Sequence, residues 1–236
     1  MFDGFPQEMI GFLLSIRFNN STAYFQAHRD EYERFVKRPL YALCEALAPV
    51  VQEIDPDLDT RPAGVCSRLR RDTRFSRDKS PYRDHVWIGW RYAGEPRSEI
   101  FGLYWDAYPE SSSWGCGAYG ENKPVMDALR ARMLEHPEEM LAILNAPDFK
   151  GRFVLEGPDY KKLAVPDALP EALRPLYNKK GFYFHQATDA EQDLELIFSG
   201  RIVERVSRDL RALGPLYRYM RRMQEAAGPR ERRWDR

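Results

Sequence analysis

The sequence predicts an α+β fold in a single domain: a central antiparallel sheet in meander order, packed by N-terminal and C-terminal helices. Three observations carry this. Apolar residues recur at helical spacing up to about residue 55 and again in the C-terminal region. Between Val65 and Tyr119 the pattern changes to alternation. The alternating runs are joined by short turns instead of helices, which excludes βαβ units. A chain of 236 residues also buries enough surface to need no disulfide or metal staple.

Each element follows from local chemistry. Pro6 suits a first helical turn, and Ile10, Leu13, Leu14 and Phe18 share one face of a helix that Asn19-Asn20 ends. Ser21 caps the next, whose stripe runs from Phe25 through Tyr32, Leu40 and Leu47 to Ile54, with a kink expected near Pro39 and a stop at Asp55-Pro56. Val65–Leu69 and His85–Tyr92 alternate as strands, Ala93–Pro96 reads as a turn, and Glu99–Tyr108 and Trp114–Tyr119 continue the sheet. Asn122 caps a helix and Pro137 opens another. Arg152–Glu156 and Gly181–Gln186 are strands around a helix near Leu169–Tyr177. Thr188 and Glu191 form a capping box for the terminal helical region, which Gly214-Pro215 is expected to break or kink. Residues 1–227 form the domain, and 228–236 read as a basic frayed tail.

Charge is balanced overall, with 36 Lys+Arg against 36 Asp+Glu, which argues against bulk polyanion binding. The balance is uneven along the chain. Residues 61–91 and 201–236 each carry a net +6, and the remainder carries −12. The longest polar stretch, residues 70–84, lies between two alternating runs. Its Arg70, Arg71, Arg74 and Arg77 offer guanidinium forks suited to phosphate or carboxylate, Lys79 adds a point charge, and Arg68 leads into it. Asp72 and Asp78 are interleaved with these bases, so two readings stand: an anion site, or a salt-bridge staple that pins the loop. Arg68, Arg70, Arg71, Arg74, Asp78, Lys79 and Tyr82 are the candidate ligand-binding residues. Asp72 and His85 are the candidate acid/base groups.

Other motifs have plainer explanations. Gly115-x-Gly117-x-x-Gly120 follows a meander strand, so it lacks the βαβ setting of a dinucleotide fingerprint and reads as strand-end punctuation. His28, His85, His136 and His185 lack paired-ligand spacing, and Cys44, Cys66 and Cys116 lack a CxxC pair and read as buried thiols. No cofactor and no metal is therefore expected. Trp87, Trp90, Arg91, Tyr92, Tyr104 and Trp105 mix aromatic and basic character as a base-stacking sheet does, although alternation favours sheet packing. The N-terminus lacks a signal-peptide pattern and no run is apolar enough to span a membrane, so a cytoplasmic protein is expected.

The run Arg71 to Arg83, RDTRFSRDKSPYR, resembles the signature of a bacterial conserved-hypothetical family, domain of unknown function 2461. The first helix with Asn19-Asn20, then Tyr24-Phe25 and His28/Tyr32, is similar to that family's N-terminal block. Gly117–Pro124, Leu176–Phe182 and the terminal helix fit as well. Gly115–Gly120 departs from it, where a tighter glycine run and a nearer proline are expected. The resemblance implies this fold and carries no established activity. Function is thus read from the loop: binding of a phosphorylated or carboxylated small molecule. The alternatives are a non-enzymatic interaction or scaffold protein with the loop as staple, and nucleic-acid binding through the basic tail and aromatic sheet. Nucleic acid is not the expected partner, and neither is a membrane; whether the chain is an enzyme stays open.

Overall fold

A computed structural model describes residues 2–74, 77–95, 101–118, 120–186 and 190–228. Two of its helices begin at side-chain caps, at Ser21 and at Asn122. The first helix in the chain, α1, is Glu8–Phe18, and Ser21 Oγ accepts the Tyr24 amide to start α2, Thr22–Ala27. A helical run follows from α3, Arg29–Glu31, through a π-helical segment, Tyr32–Lys37, into α4, Arg38–Ile54. The π segment ends just before Pro39. Proline has no amide to donate, and its ring would meet the carbonyl four residues back; a widened turn relieves that clash without breaking the helix. The expected kink is thus a change of helical pitch.

The expected strand at Val65–Leu69 is different: α5, Pro62–Val65, ends there, and Cys66 and Arg70 make isolated bridges to Ile88 and Tyr82. The strands are β1, Val86–Trp90, β2, Gly102–Tyr108, and β3, Ser111–Gly117. Then come α6, Lys123–Glu135, capped by Asn122 Oδ1 on the Val125 amide, and α7, Pro137–Leu144. Next are β4, Phe153–Glu156, a 3-10 turn at Glu171–Leu173 leading into α8, Arg174–Tyr177, and β5, Tyr183–Gln186. Last are α9, Ala190–Ile197, and α10, Arg201–Ala227. The α+β class with an antiparallel sheet holds. Its strand order is β1-β2-β3-β5-β4, so only the first three strands form a meander. β5 returns to pair antiparallel with both β3 and β4, and β4 is left at the edge.

The helix α10 runs unbroken through Gly214-Pro215. Leu210, Leu213, Leu216 and Tyr217 are all buried around that point, and their packing outweighs the hydrogen bond that proline removes. The capping residue Thr188, the turn residue Pro96, the strand residues Glu99 and Tyr119, and the tail after Gly228 lie outside the described residues. All three cysteines are free and buried.

The chain contains two compact units. The first comprises residues 1–93, 104–114 and 188–209, and the second comprises 94–103, 115–187 and 210–236. In the first, Phe5 stacks on the buried Trp105 at 5.4 Å, and the Trp114 indole donates to buried Asp209, which also takes Arg205 and Arg208. In the second, the Gln224 side chain accepts the Phe101 amide, and Phe149 and Phe182 close on Phe184.

The glycine run has a packing role in the second unit. Gly117 pairs with Tyr183, and a Cβ on Gly117 would lie 2.1 Å from the Tyr183 Cβ and 2.7 Å from the Phe182 carbonyl oxygen. Backbone must shift to admit it. Gly117→Ala is expected to cost about 1–3 kcal/mol and to lower the melting temperature by several degrees in a calorimetric scan; an unchanged midpoint would contradict this packing.

Candidate functional site

The basic loop belongs to the first unit and is closed at its base. Ser67 and Leu69 point inward, so Arg68 and Arg70 point outward by alternation. The return limb pairs with this arm: the Arg71 amide donates to the Pro81 carbonyl and the Arg83 amide to the Leu69 carbonyl, each at 2.8 Å. Tyr82 is 2% exposed. Its ring stacks on Phe25 at 4.4 Å, and Asn20 both donates to its carbonyl and accepts its amide, at 2.9 Å each. Tyr82 is therefore an anchor of the loop and is not available to a ligand. Tyr32, in the π segment, packs on Phe25 from another side. Burial pushes its phenol up to about 12.

Above that base the loop pairs with itself. The Arg74 guanidinium donates to both oxygens of Asp72, at 2.7 Å for the shortest bond, and holds that carboxyl down to about 2. Asp78 accepts the Ser80 amide at 2.9 Å and pairs with Arg71; the Ser80 bonds first, then Arg71, keep it below the usual range. Lys79 donates to the Thr73 carbonyl at 2.9 Å. Both interleaved acids are thus taken by one arginine each. Arg68, Arg70 and Arg77 are exposed, and among the described residues none of their guanidinium groups has a hydrogen bond or ion pair. Phe75 and Ser76 of the signature lie outside the described residues.

Arg83 links the arm to the sheet. Its Nη1 donates to the carbonyls of Arg68 and Arg70 at 3.2 and 2.9 Å, while its guanidinium lies over the Trp87 ring at 5.0 Å. Trp87 lies 5.6 Å from the His85 ring, and Tyr108 stacks on His85 at 4.3 Å. His85 Nδ1 meets Asp84 Oδ1 at 3.1 Å, and Arg17 Nε donates to Asp84 Oδ2 at 2.6 Å. Arg17 continues as a two-pronged fork onto Glu110. Burial pushes the Asp84 carboxyl up, but the bonds from His85 and Arg17 outweigh it and hold the group below the usual range. Burial lowers the His85 imidazole; Asp84 opposes this, and the charges of Arg83 and Arg71 add to the lowering.

Sequence reasoning named the loop arginines and His85 but missed Arg17, Asp84 and Glu110. Arg17 meets its partners 67 and 93 residues away, and its only local signal is its place in the last turn of α1. Asp72 sits at the exposed loop tip, locked to Arg74, and does not join the His85 cluster through any bond. The aromatic set divides by face: Trp90 and Trp105 are fully buried, whereas Trp87 and Tyr104 are half-buried on the opposite face.

The remaining sequence candidates take structural places. His28 caps α2 by bonding the Tyr24 carbonyl at 2.9 Å and stacks on Tyr24. In the second unit His185 lies 3.3 Å from Glu156, and His136 lies 3.3 Å from Glu138. The cavity beside the α6 N-terminus, lined by Phe101, Asn122, Val125 and Phe182 among others, is about 10 Å³, room for about one water. Among the described residues no helix is long and apolar enough to cross a membrane.

Tyr82→Ala is expected to cost about 3–5 kcal/mol in chemical denaturation, while Asp72→Ala, on the exposed tip, leaves the midpoint close to wild type. Equal losses would make the tip pairs the anchor instead. Asp84 is depressed on folding, so its contribution is full above the unfolded carboxyl value near ~4 and is lost as pH falls through its folded value. Asp84→Asn is expected to flatten that acid limb of the stability profile, and an identical limb would count against the Arg17–Asp84–His85 linkage.

Among curated proteins, none matches the chain. The family model described as Conserved hypothetical protein (DUF2461) matches residues 8–219, a span that contains Arg17, the basic loop, His85 and Glu110, and the chain belongs to that family.

Proposed function

We propose that the chain binds a phosphorylated or carboxylated small molecule at the basic arm, with Arg68 and Arg70 as the principal ligands and Arg77 as a further charge. The observation that carries this is the uneven pairing within the loop. Asp72 and Asp78 each occupy one arginine, which leaves Arg68 and Arg70 exposed with no carboxylate partner among the described residues. Guanidinium groups in that condition are hydrated, fully charged and suited to bidentate recognition of an oxyanion. Arg71 and Arg74, named beside them from the sequence, act in this reading by shaping the tip.

Two or three charge-assisted bonds at ~1.5–3 kcal/mol each, less several kcal/mol for association, correspond to millimolar to micromolar affinity. A second reading, an interaction or scaffold role, draws on the same internal pairs: a self-neutralised tip is a defined shape for a protein contact.

Thermal shift separates the two. Inorganic phosphate or citrate is expected to raise the melting temperature of the full chain at ionic strength matched with sodium chloride. The double variant Arg68→Ala/Arg70→Ala, which changes only exposed side chains, is expected to melt as wild type without phosphate and to lose the response. Equal shifts in both proteins, or none in wild type, would overturn the anion reading in favour of the scaffold one.

A further inference from the structure

We propose that the protein is an enzyme in which His85 Nε2 accepts and returns a proton on the anion held by Arg68 and Arg70, with Asp84 and Arg17 as positioning residues; the inference rests on the anion reading above. A carboxylate oxygen only accepts, so the Asp84 contact assigns the hydrogen to His85 Nδ1 and leaves the lone pair on Nε2. Among the described residues Nε2 makes no hydrogen bond. The ring is fixed in plane by Tyr108 at 4.3 Å and flanked by Trp87 at 5.6 Å. Its carboxylate partner is fixed in turn by Arg17, whose other edge is clamped by Glu110. A base needs this nested support if its lone pair is to be aimed before substrate arrives.

One side chain links the backbone of the basic arm to the aromatic ring beside the imidazole. Arg83 bonds the backbone of both Arg68 and Arg70 and covers Trp87, which flanks His85. The groups bearing on the imidazole are Asp84 on one side and Arg83 and Arg71 on the other. With burial dominant, the imidazole is held below its ordinary value, which favours the neutral ring that accepts a proton.

The reaction class is proton transfer within one substrate. An activated C–H or O–H bond of the anion breaks; its electron pair stays on the substrate, and the proton forms Nε2–H. The imidazolium is stabilised by Asp84. Return of that proton to a second atom of the same molecule gives an isomer and restores His85. No co-reactant is consumed.

Nitrogen-15 NMR of the histidine rings in the full chain tests this alongside thermal shift. In wild type at pH 7, His85 is expected to be the single Nδ1–H tautomer with a bare Nε2. Titrated inorganic phosphate is expected to move the Nε2 resonance over the range that raises the melting temperature, and Arg68→Ala/Arg70→Ala is expected to abolish both responses. Asp84→Ala is expected to release the ring into a mixture of tautomers while the phosphate thermal shift survives.

A protonated Nε2 in wild type would overturn the proposal. So would a phosphate shift in melting temperature that leaves Nε2 unmoved, in which case the anion reading stands alone. A wild type whose melting temperature does not respond to phosphate removes the anion reading, and this inference with it.

Discussion

The basic loop depends on one buried ring. Tyr82 lies in the middle of the most highly charged stretch of the chain, yet it packs on Phe25, and Asn20 satisfies both its amide and its carbonyl. Buried peptide groups need partners, and a single side-chain amide supplies both here. With the ring fixed, the Leu69–Arg83 and Arg71–Pro81 backbone bonds close the base. The parity of the arm then follows: Leu69 must face in, so Arg68 and Arg70 must face out.

The pairs at the tip act on shape more than on stability. Exposed ion pairs contribute little to folding, and Asp72–Arg74 is of that kind. What such pairs do is restrict the chain. A tip already held by Arg74–Asp72, Arg71–Asp78 and Lys79 on the Thr73 carbonyl would lose less freedom on taking the proposed anion, and pre-paid ordering favours affinity. In the proposed reading the staple and the anion site, rivals in the sequence, become two parts of one loop. The acids shape it, and the arginines they leave over carry its charge.

What the sequence made legible was local, and what it hid was long-range. Ser21 and Asn122 cap the helices as their side chains dictate, and alternation correctly separates the core pair Trp90 and Trp105 from Trp87 and Tyr104 on the other face. The return of β5 between β3 and β4 carries no local signal, because each strand reads the same in any order. Pro215 illustrates a different limit: its intrinsic cost is readable, while the burial that overrides it is a property of the assembled helix face. Tyr82 looked like a ligand residue because it lies in the charged run from Arg70 to Asp84; only Phe25 and Asn20, 57 and 62 residues away by number, make it core. The candidate site was half legible for the same reason, since His85 and Asp84 are adjacent in the chain but Arg17 and Glu110 are not.

Burial, not the charge next to it, has the largest effect on His85, and it holds the imidazole below its ordinary value although a carboxylate adjoins the ring. An aspartate bonded to imidazole alone would favour the imidazolium and push its proton affinity up. Here Asp84 divides its charge: one oxygen faces His85, and the other takes a short bond from Arg17. Asp84 still favours the charged ring, but burial outweighs it, and the charges of Arg83 and Arg71 add to the lowering. Glu110 compensates Arg17 in turn, so the arrangement does not leave an uncompensated cation at the sheet end. The carboxylate thus keeps its orienting contact with Nδ1, while burial together with Arg83 and Arg71 outweighs its pull toward the charged ring. Those are the two properties the proposed base needs at once, and an isolated, solvated Asp–His pair supplies only the first.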